Sequence, residues 1–262
     1  MKMILSALAL ATISLGSNVM AAEKPPIALV HGAFENAQVW GHVSAKLKAD
    51  GYDVVAVDLP GRPGAPMAPD KVSLDLYRDT VLKALNKFDR PAVVVGHSFG
   101  GIVISAAAEQ APQKIKTLIY VAAYLPQDGD SLLSMAQHDA DAKIGPHLQI
   151  EKDKGIAVIE YSARADLFAN GAPAGLRAAI PDLILPEPLG PLVTPVHVTA
   201  ARFGQVDKVY VHTAEDQVIS PSFQSKMVAS TPVRLEFSVP TGHTPFLTDP
   251  DDLAKAIEAA AK

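Results

Sequence analysis

The chain has 262 residues, 48% of them hydrophobic and 19% charged, which is enough apolar surface for one large domain and too much for a disordered chain. Lysine and arginine number 23 against 28 aspartates and glutamates, with no basic run, which argues against a nucleic-acid or anionic-membrane partner. Cysteine is absent, so disulfides, thiolate zinc sites, iron–sulfur clusters and a cysteine nucleophile are excluded.

Lys2 precedes an apolar run from Met3 to Leu15, followed by the small-residue stretch Val19-Met20-Ala21-Ala22. This is the pattern of a secretory signal peptide over residues 1–21, cleaved after Ala21. The run falls short of the ~20 residues that a spanning helix needs, so no membrane anchor is expected after processing. Export of a chain without cysteine suits a periplasmic or secreted location.

Over residues 22–262, short apolar runs alternate with longer helical patterns. Ile27–Val30, Val54–Val57, Ala92–Val95, Leu118–Val121, Val209–Val211 and Leu235–Val239 are the expected strands. Most are apolar on both faces, as buried parallel strands are. The last carries Glu236 and Ser238 on one face and is expected nearer an edge. Helical windows cover Ala37–Asp50, Leu74–Phe88, Phe99–Gln110, Ser222–Ser230 and Pro250–Ala261. Ser73 and Asp249 are suited to start helices, and Gly51 to stop one. The pattern predicts an α/β fold, a six-stranded, mostly parallel sheet with helices on both faces. From Leu125 to Phe203 no clear strand is visible, and this stretch (about 125–205) is expected to be a small cap over one end of the sheet.

The chemistry centres on Gly96-His97-Ser98-Phe99-Gly100, a G-x-S-x-G directly after an apolar strand and before a helical window. A strand-to-helix turn this tight needs nearly side-chain-free residues two before and two after the nucleophile. Its serine hydroxyl projects above the sheet, and the N–H of Phe99 lies at a helix N-terminus, suited to an oxyanion. The pattern alone is weak; the strand and helix around it give it weight. A dinucleotide fingerprint would need glycine where Ser98 stands.

A nucleophilic serine needs a base, and the base an orienting acid, with chain order Ser, acid, His on this type of fold. His243 lies after the last strand. Asp216 follows the Val209–Val211 strand; Glu215 beside it, and Asp128 or Asp130 after the fourth strand, are rivals. Either carboxylate of the 215–216 pair would also suit the start of the helix near Ser222. The second oxyanion donor is expected from the loop after the first strand, at Ala33 N–H, with Gly32 allowing close approach and His31 bracing the loop. His212 and Trp40 are read as packing residues. The cluster of His138, Asp139, Asp141 and His147 is read as a solvated polar patch, and neither metal nor cofactor is expected.

These stretches, with Asp58-Leu59-Pro60-Gly61, Tyr124-Leu125-Pro126 and Gly242-His243-Thr244-Pro245, resemble the α/β-hydrolase superfamily. More narrowly, they are similar to the group of plant methyl-salicylate-type esterases, hydroxynitrile lyases and bacterial esterase relatives, over about residues 27–256. The resemblance implies an eight-stranded fold trimmed to six, a Ser98–Asp216–His243 triad and oxyanion donors at Ala33 and Phe99. The lyases of that group carry a lysine just after the histidine and a threonine in the oxyanion loop. Thr244 and Gly32 stand there instead, which disfavours cyanohydrin cleavage. The expectation is a serine carboxylesterase acting on small to medium esters through an acyl-enzyme. A cofactor-free lyase or perhydrolase, or a non-catalytic ligand-binding homologue, is the alternative. Phe168, Leu176, Ile180, Leu183, Leu185 and Leu192 from the cap, with Phe34 and Phe99 beneath, are candidates for its apolar pocket. The sequence leaves the ester and the oligomeric state open.

Overall fold

The computed structural model describes residues 23–262, and the segment read as a secretory signal lies outside the described residues. The first half alternates strands β1 (Ile27–Val30), β2 (Val54–Val57), β3 (Ala92–His97) and β4 (Ile115–Val121) with helices α1 (Gly41–Ala49), α2 (Leu74–Leu85) and α3 (Gly100–Gln110). An insertion follows, built from α4 (Leu132–Ala136), β5 (Leu148–Glu151), β6 (Ile156–Ile159), α5 (Tyr161–Phe168), α6 (Ala174–Leu183), β7 (Glu187–Pro188) and α7 (Leu189–Val193). The chain closes with β8 (Asp207–Thr213), α8 (Pro221–Ser230), β9 (Leu235–Val239), α9 (Pro245–Thr248) and α10 (Pro250–Ala261). Six strands form one parallel sheet, ordered β2-β1-β3-β4-β8-β9, an α/β-hydrolase fold. β9, with its polar face, is an edge.

Alternate residues of each inner strand enter different cores. Ala28 and Val30 of β1 and Val94 of β3 pack with α2, α3 and the cap, whereas Ile27, Leu29, Val93 and Val95 pack with α1 and α10. This period of two, apolar on both faces, is why the strands read as unbroken apolar runs. The ladders extend past the apolar residues in β4 and β8, where Lys116, Asp207 and Lys208 lie; backbone pairing does not require apolar side chains. The helix starts follow their caps: Ser73 accepts the Leu76 N–H and Asp249 the Asp252 N–H.

The expectation that no strand lies in the insertion is corrected. β5, β6 and β7 form a small antiparallel sheet. Its strands are four residues or shorter, β5 and β6 are partly exposed, and the hairpin between them turns at Gly155, whose φ is +65°. Such short strands give no long apolar run to detect.

Candidate active site

Ser98 sits where β3 hands over to α3, with φ at +52°, a region that costs a residue with a Cβ about 1–3 kcal/mol. The turn is held by its surroundings, since the carbonyl of Ser98 accepts the N–H groups of Gly101 (3.0 Å) and Tyr124 (3.1 Å). There is no room for side chains on either side. A Cβ on Gly96 would lie 2.7 Å from the Gly100 carbonyl oxygen, and one on Gly100 2.8 Å from that of His31.

The loop after β1 comes up against this elbow. A Cβ on Gly32 would lie 2.8 Å from the Cβ of Ser98, so a larger residue would push the loop away. Ala33 and Ser98 line the same cavity. Among the described residues no acceptor takes up the N–H of Ala33 or of Phe99, and the latter lies at the positive end of α3. Both amides are thus left without an acceptor beside the strained serine.

His31 braces the loop as expected. Its Nε2 accepts the Leu59 N–H at 3.1 Å, so the proton is on Nδ1, which donates to the Gly32 carbonyl at 2.8 Å. Burial, and then the Arg62 charge, depress its pKa to about 3. The ring is therefore neutral in the fold, while the unfolded chain takes up a proton below about 6.5. The sign is that stability falls as pH drops from about 6.5 toward 3. Between pH 7 and pH 5 this amounts to about 2 kcal/mol. Urea unfolding at both pH values is expected to show that much less pH dependence in His31→Asn than in the wild type.

Asp216 and His243 are brought together directly: Nδ1 of the histidine lies 2.8 Å from Oδ2 of the aspartate, and both are buried. Asp216 is held from several sides. Its Oδ1 accepts the N–H groups of Val218 and Ile219, and its Oδ2 accepts the Thr213 hydroxyl and the Gln224 amide. It does not start α8, which Ser220 caps. The rivals serve loops elsewhere: Asp128 accepts the Val198 N–H and Asp130 the Gln127 N–H, while Glu215 is exposed. Ser98 and His243, carried by different elements, share Phe168 as a neighbour. Phe168 lines the cavity with Ser98 and packs edge-on to the His243 ring, 5.8 Å between centroids.

The cavity above Ser98 has about 570 Å³ of unfilled space, open mouth included. Of the expected lining residues, Phe34, Phe168 and Leu192 are there. The others are not. Phe99 and Ile180 are core, Leu183 points to solvent, Leu176 is half-buried, and Leu185 faces a separate proline-lined cleft. The walls come instead from Leu132, Leu133 and Ala136 of α4, from Ile144, and from Leu148 and Ile150 of β5. The Ser131-x-x-Ser134 capping pair was the available signal for α4.

Thr244, where the lyases have lysine, donates its hydroxyl to the Phe168 carbonyl and is buried. Trp40 is core, packed on Phe246 at 5.0 Å. His212 lies against the Tyr210 ring and pairs with Glu236. The polar patch is corrected in part: Asp139 is buried and accepts both the N–H and the hydroxyl of Ser220, and Asp141 accepts from Ser222. These bonds tie the insertion to the start of α8.

The sequence reading missed five charged or titratable residues next to the site. Glu187 of β7 accepts the Phe34 N–H at 2.8 Å and the Tyr77 hydroxyl at 3.1 Å, and pairs with Arg62. Glu35 lies 3.0 Å from His97. His97 occupies the first of the two variable positions of the serine motif, which was the one clue.

The family model described as "Alpha/beta hydrolase family" matches residues 27–256. Putative methylesterase 14, chloroplastic, of Arabidopsis thaliana is 28% identical over 246 residues, covering 87% of this chain and 70% of its own length. The chain spans 63% of the companion methylesterase 11. Methyl jasmonate esterase 1 of Vitis vinifera is 27% identical, covering 88% and 94% of the two chains. The solved structure of a pyrethroid hydrolase from Sphingobium faniae JZ-2 superposes with a TM-score of 0.79 at 25% identity, covering 90% of this chain and 97% of that one. These relatives point to a carboxylic ester hydrolase, and the chain belongs to the alpha/beta hydrolase family.

Proposed function

We propose that the chain is a serine carboxylesterase for small to medium esters, working through a Ser98–His243–Asp216 triad. The observation that carries this is Ser98, strained at φ +52° and lining an apolar cavity with Ala33 and Phe168, with a buried histidine–aspartate pair packed on the same Phe168. In this reading His243 Nε2 takes the proton of Ser98 as its oxygen attacks the ester carbonyl. Asp216 fixes the proton on Nδ1 and stabilises the imidazolium. The tetrahedral oxyanion is held by the amides of Ala33 and Phe99. His243 then protonates the leaving alcohol, and afterwards activates water to cleave the acyl-enzyme. The cavity lined by Leu132, Leu133, Ile144, Leu148 and Leu192 suits an aromatic or branched apolar group. Thr244 offers no charge for a leaving cyanide, which supports hydrolysis over cyanohydrin cleavage.

The test is intact mass after treatment with a fluorophosphonate. One adduct is expected on the wild type and none on Ser98→Ala, followed by hydrolysis on a panel of esters. A folded wild type without an adduct would favour a ligand-binding protein. The export reading is part of the same proposal: expressed with its leader in a bacterium, the protein is expected in the periplasmic fraction, beginning at Ala22.

A further inference from the structure

The mechanism above makes no use of Tyr124, yet Tyr124 and Ser98 line the same cavity. The Tyr124 N–H donates to the Ser98 carbonyl at 3.1 Å, so the chain just after β4 is tied to the serine elbow by its backbone. The residue is buried, at 4% exposure. Tyr77, Tyr120 and Tyr210, which have no exposure at all, each engage their hydroxyl, on Glu187, Ser105 and the Ala123 carbonyl. Among the described residues the Tyr124 hydroxyl has no such partner. It is not sealed in the packing either, as the Trp40 ring N–H is. The small accessible part of the residue therefore includes the hydroxyl, and the space it meets is the cavity that the residue lines.

Ser98 and Tyr124 are the only lining residues with a polar side chain; the rest of the wall is apolar and no charged group is part of it. The charges that act on the phenol are those of Asp139 and Asp216, and both have other donors. Asp139 accepts from Ser220, and Asp216 from Val218, Ile219, Thr213 and Gln224. Burial, and then these two carboxylates, push the Tyr124 pKa up, so the group is a neutral O–H donor. A ligand that fills the cavity with hydrocarbon alone strands that donor, whereas one with an acceptor in reach gives it a partner. The acceptor has to be neutral. An anion there would meet Asp139 and Asp216 with no cation in the wall.

We propose that Tyr124 sets the substrate preference of the cavity, its hydroxyl donating a hydrogen bond to one neutral oxygen, of an ether or a ketone, carried by the buried and otherwise apolar part of the ester. This rests on the ester hydrolysis proposed above and narrows its substrate class. Esters with one further oxygen at the matching position are preferred over wholly hydrocarbon esters of the same size. Tyr124 is a specificity-determining residue and takes no part in the bond-making steps.

The experiment walks an ether oxygen along two series of esters. One is the methyl esters of medium-chain acids, the other the acetates of medium-chain alcohols, with one CH₂ at a time replaced by oxygen. For each ester kcat/KM is measured with the wild type and with Tyr124→Phe, and the ratio of the two cancels the ester's own reactivity. That ratio is expected to reach about 10–100 where the oxygen stands at the matching position. For the all-carbon parents it is expected at one or below, because the variant strands no hydroxyl. A merely structural role would give one uniform ratio across both series, and a ratio near one throughout would mean that the phenol meets no substrate; either overturns the proposal. Tyr124→Met, which also lacks the donor, takes its place should Tyr124→Phe fail to fold. In parallel, calorimetry on Ser98→Ala, with and without Tyr124→Phe, reads the dissociation constants of the same esters. The same position is expected to lose about 10–100-fold in affinity, and equal affinities, or no binding by any oxygenated ester, would overturn the proposal. This arm needs no turnover, so a failure of the esterase reading would show separately, as a wild type without a fluorophosphonate adduct.

Discussion

Asp216→Asn is expected to lower kcat on the best ester by about 10⁴-fold, with KM little changed. The reason lies in which oxygen does what. Oδ1 accepts the N–H groups of Val218 at 2.8 Å and Ile219 at 3.0 Å, so an asparagine must place its carbonyl oxygen there. Its NH₂ then occupies the position of Oδ2, 2.8 Å from His243 Nδ1, and donates to it. The imidazole proton is displaced to Nε2, the nitrogen that has to be bare to accept the proton of Ser98. The imidazole keeps its place with the wrong tautomer. The fold is expected to survive, because the Thr213 hydroxyl can turn from donating to accepting, and Gln224 keeps its bonds to Thr213 and the Ile219 carbonyl. Stopped-time hydrolysis and the fluorophosphonate labelling rate, with circular dichroism as the folding control, check this. Retention of a tenth or more of kcat would mean that Asp216 is not the orienting acid.

The elements that carry Ser98 and Asp216 were legible because each lies at the end of an apolar strand, whereas His243 follows the half-polar edge strand β9 and was found by chain order. A parallel strand buried on both faces gives an unbroken run, and the glycines around Ser98 leave a mark of their own. The insertion was not legible in the same way. β7 is two residues long, Glu187 and Pro188, and exists only through its pairing with β6. Its carboxylate meets Arg62 across 125 positions of sequence, and Glu35 meets His97 across 62; no periodicity encodes such pairs. The cavity walls followed the same rule. Leu183 and Leu185 look apolar enough to line it, but the path of the insertion turns one to solvent and the other to a different cleft. What the sequence supplied was the elements of the sheet and the motif between them. What needed the structure was everything that the fold brings together from far apart.

Glu187→Ala is expected to cost about 3–5 kcal/mol of stability and to lower Tm by roughly 6–20 °C. Arg62 and Glu187 are both without solvent exposure at their side chains and pair directly. Removing the carboxylate leaves a guanidinium buried without a counter-charge, while the Tyr77 hydroxyl and the Phe34 N–H lose their acceptor at the same time. The cost comes from that stranded charge rather than from the worth of the pair itself. Replacing both partners with apolar side chains, as in Arg62→Met/Glu187→Leu, is therefore expected to recover at least half of the loss. The two variants should nevertheless resemble each other in activity. Phe34 is held at φ +64° with its amide on Glu187, and it follows directly on Ala33. Without that anchor the Ala33 amide is less well aimed, and turnover well below Tm is expected to fall about 10–100-fold in both. Calorimetry and kinetics on the same samples separate the two effects. If the double variant recovered both stability and full turnover, Glu187 would be a pillar of the fold alone, with no part in aiming the oxyanion loop.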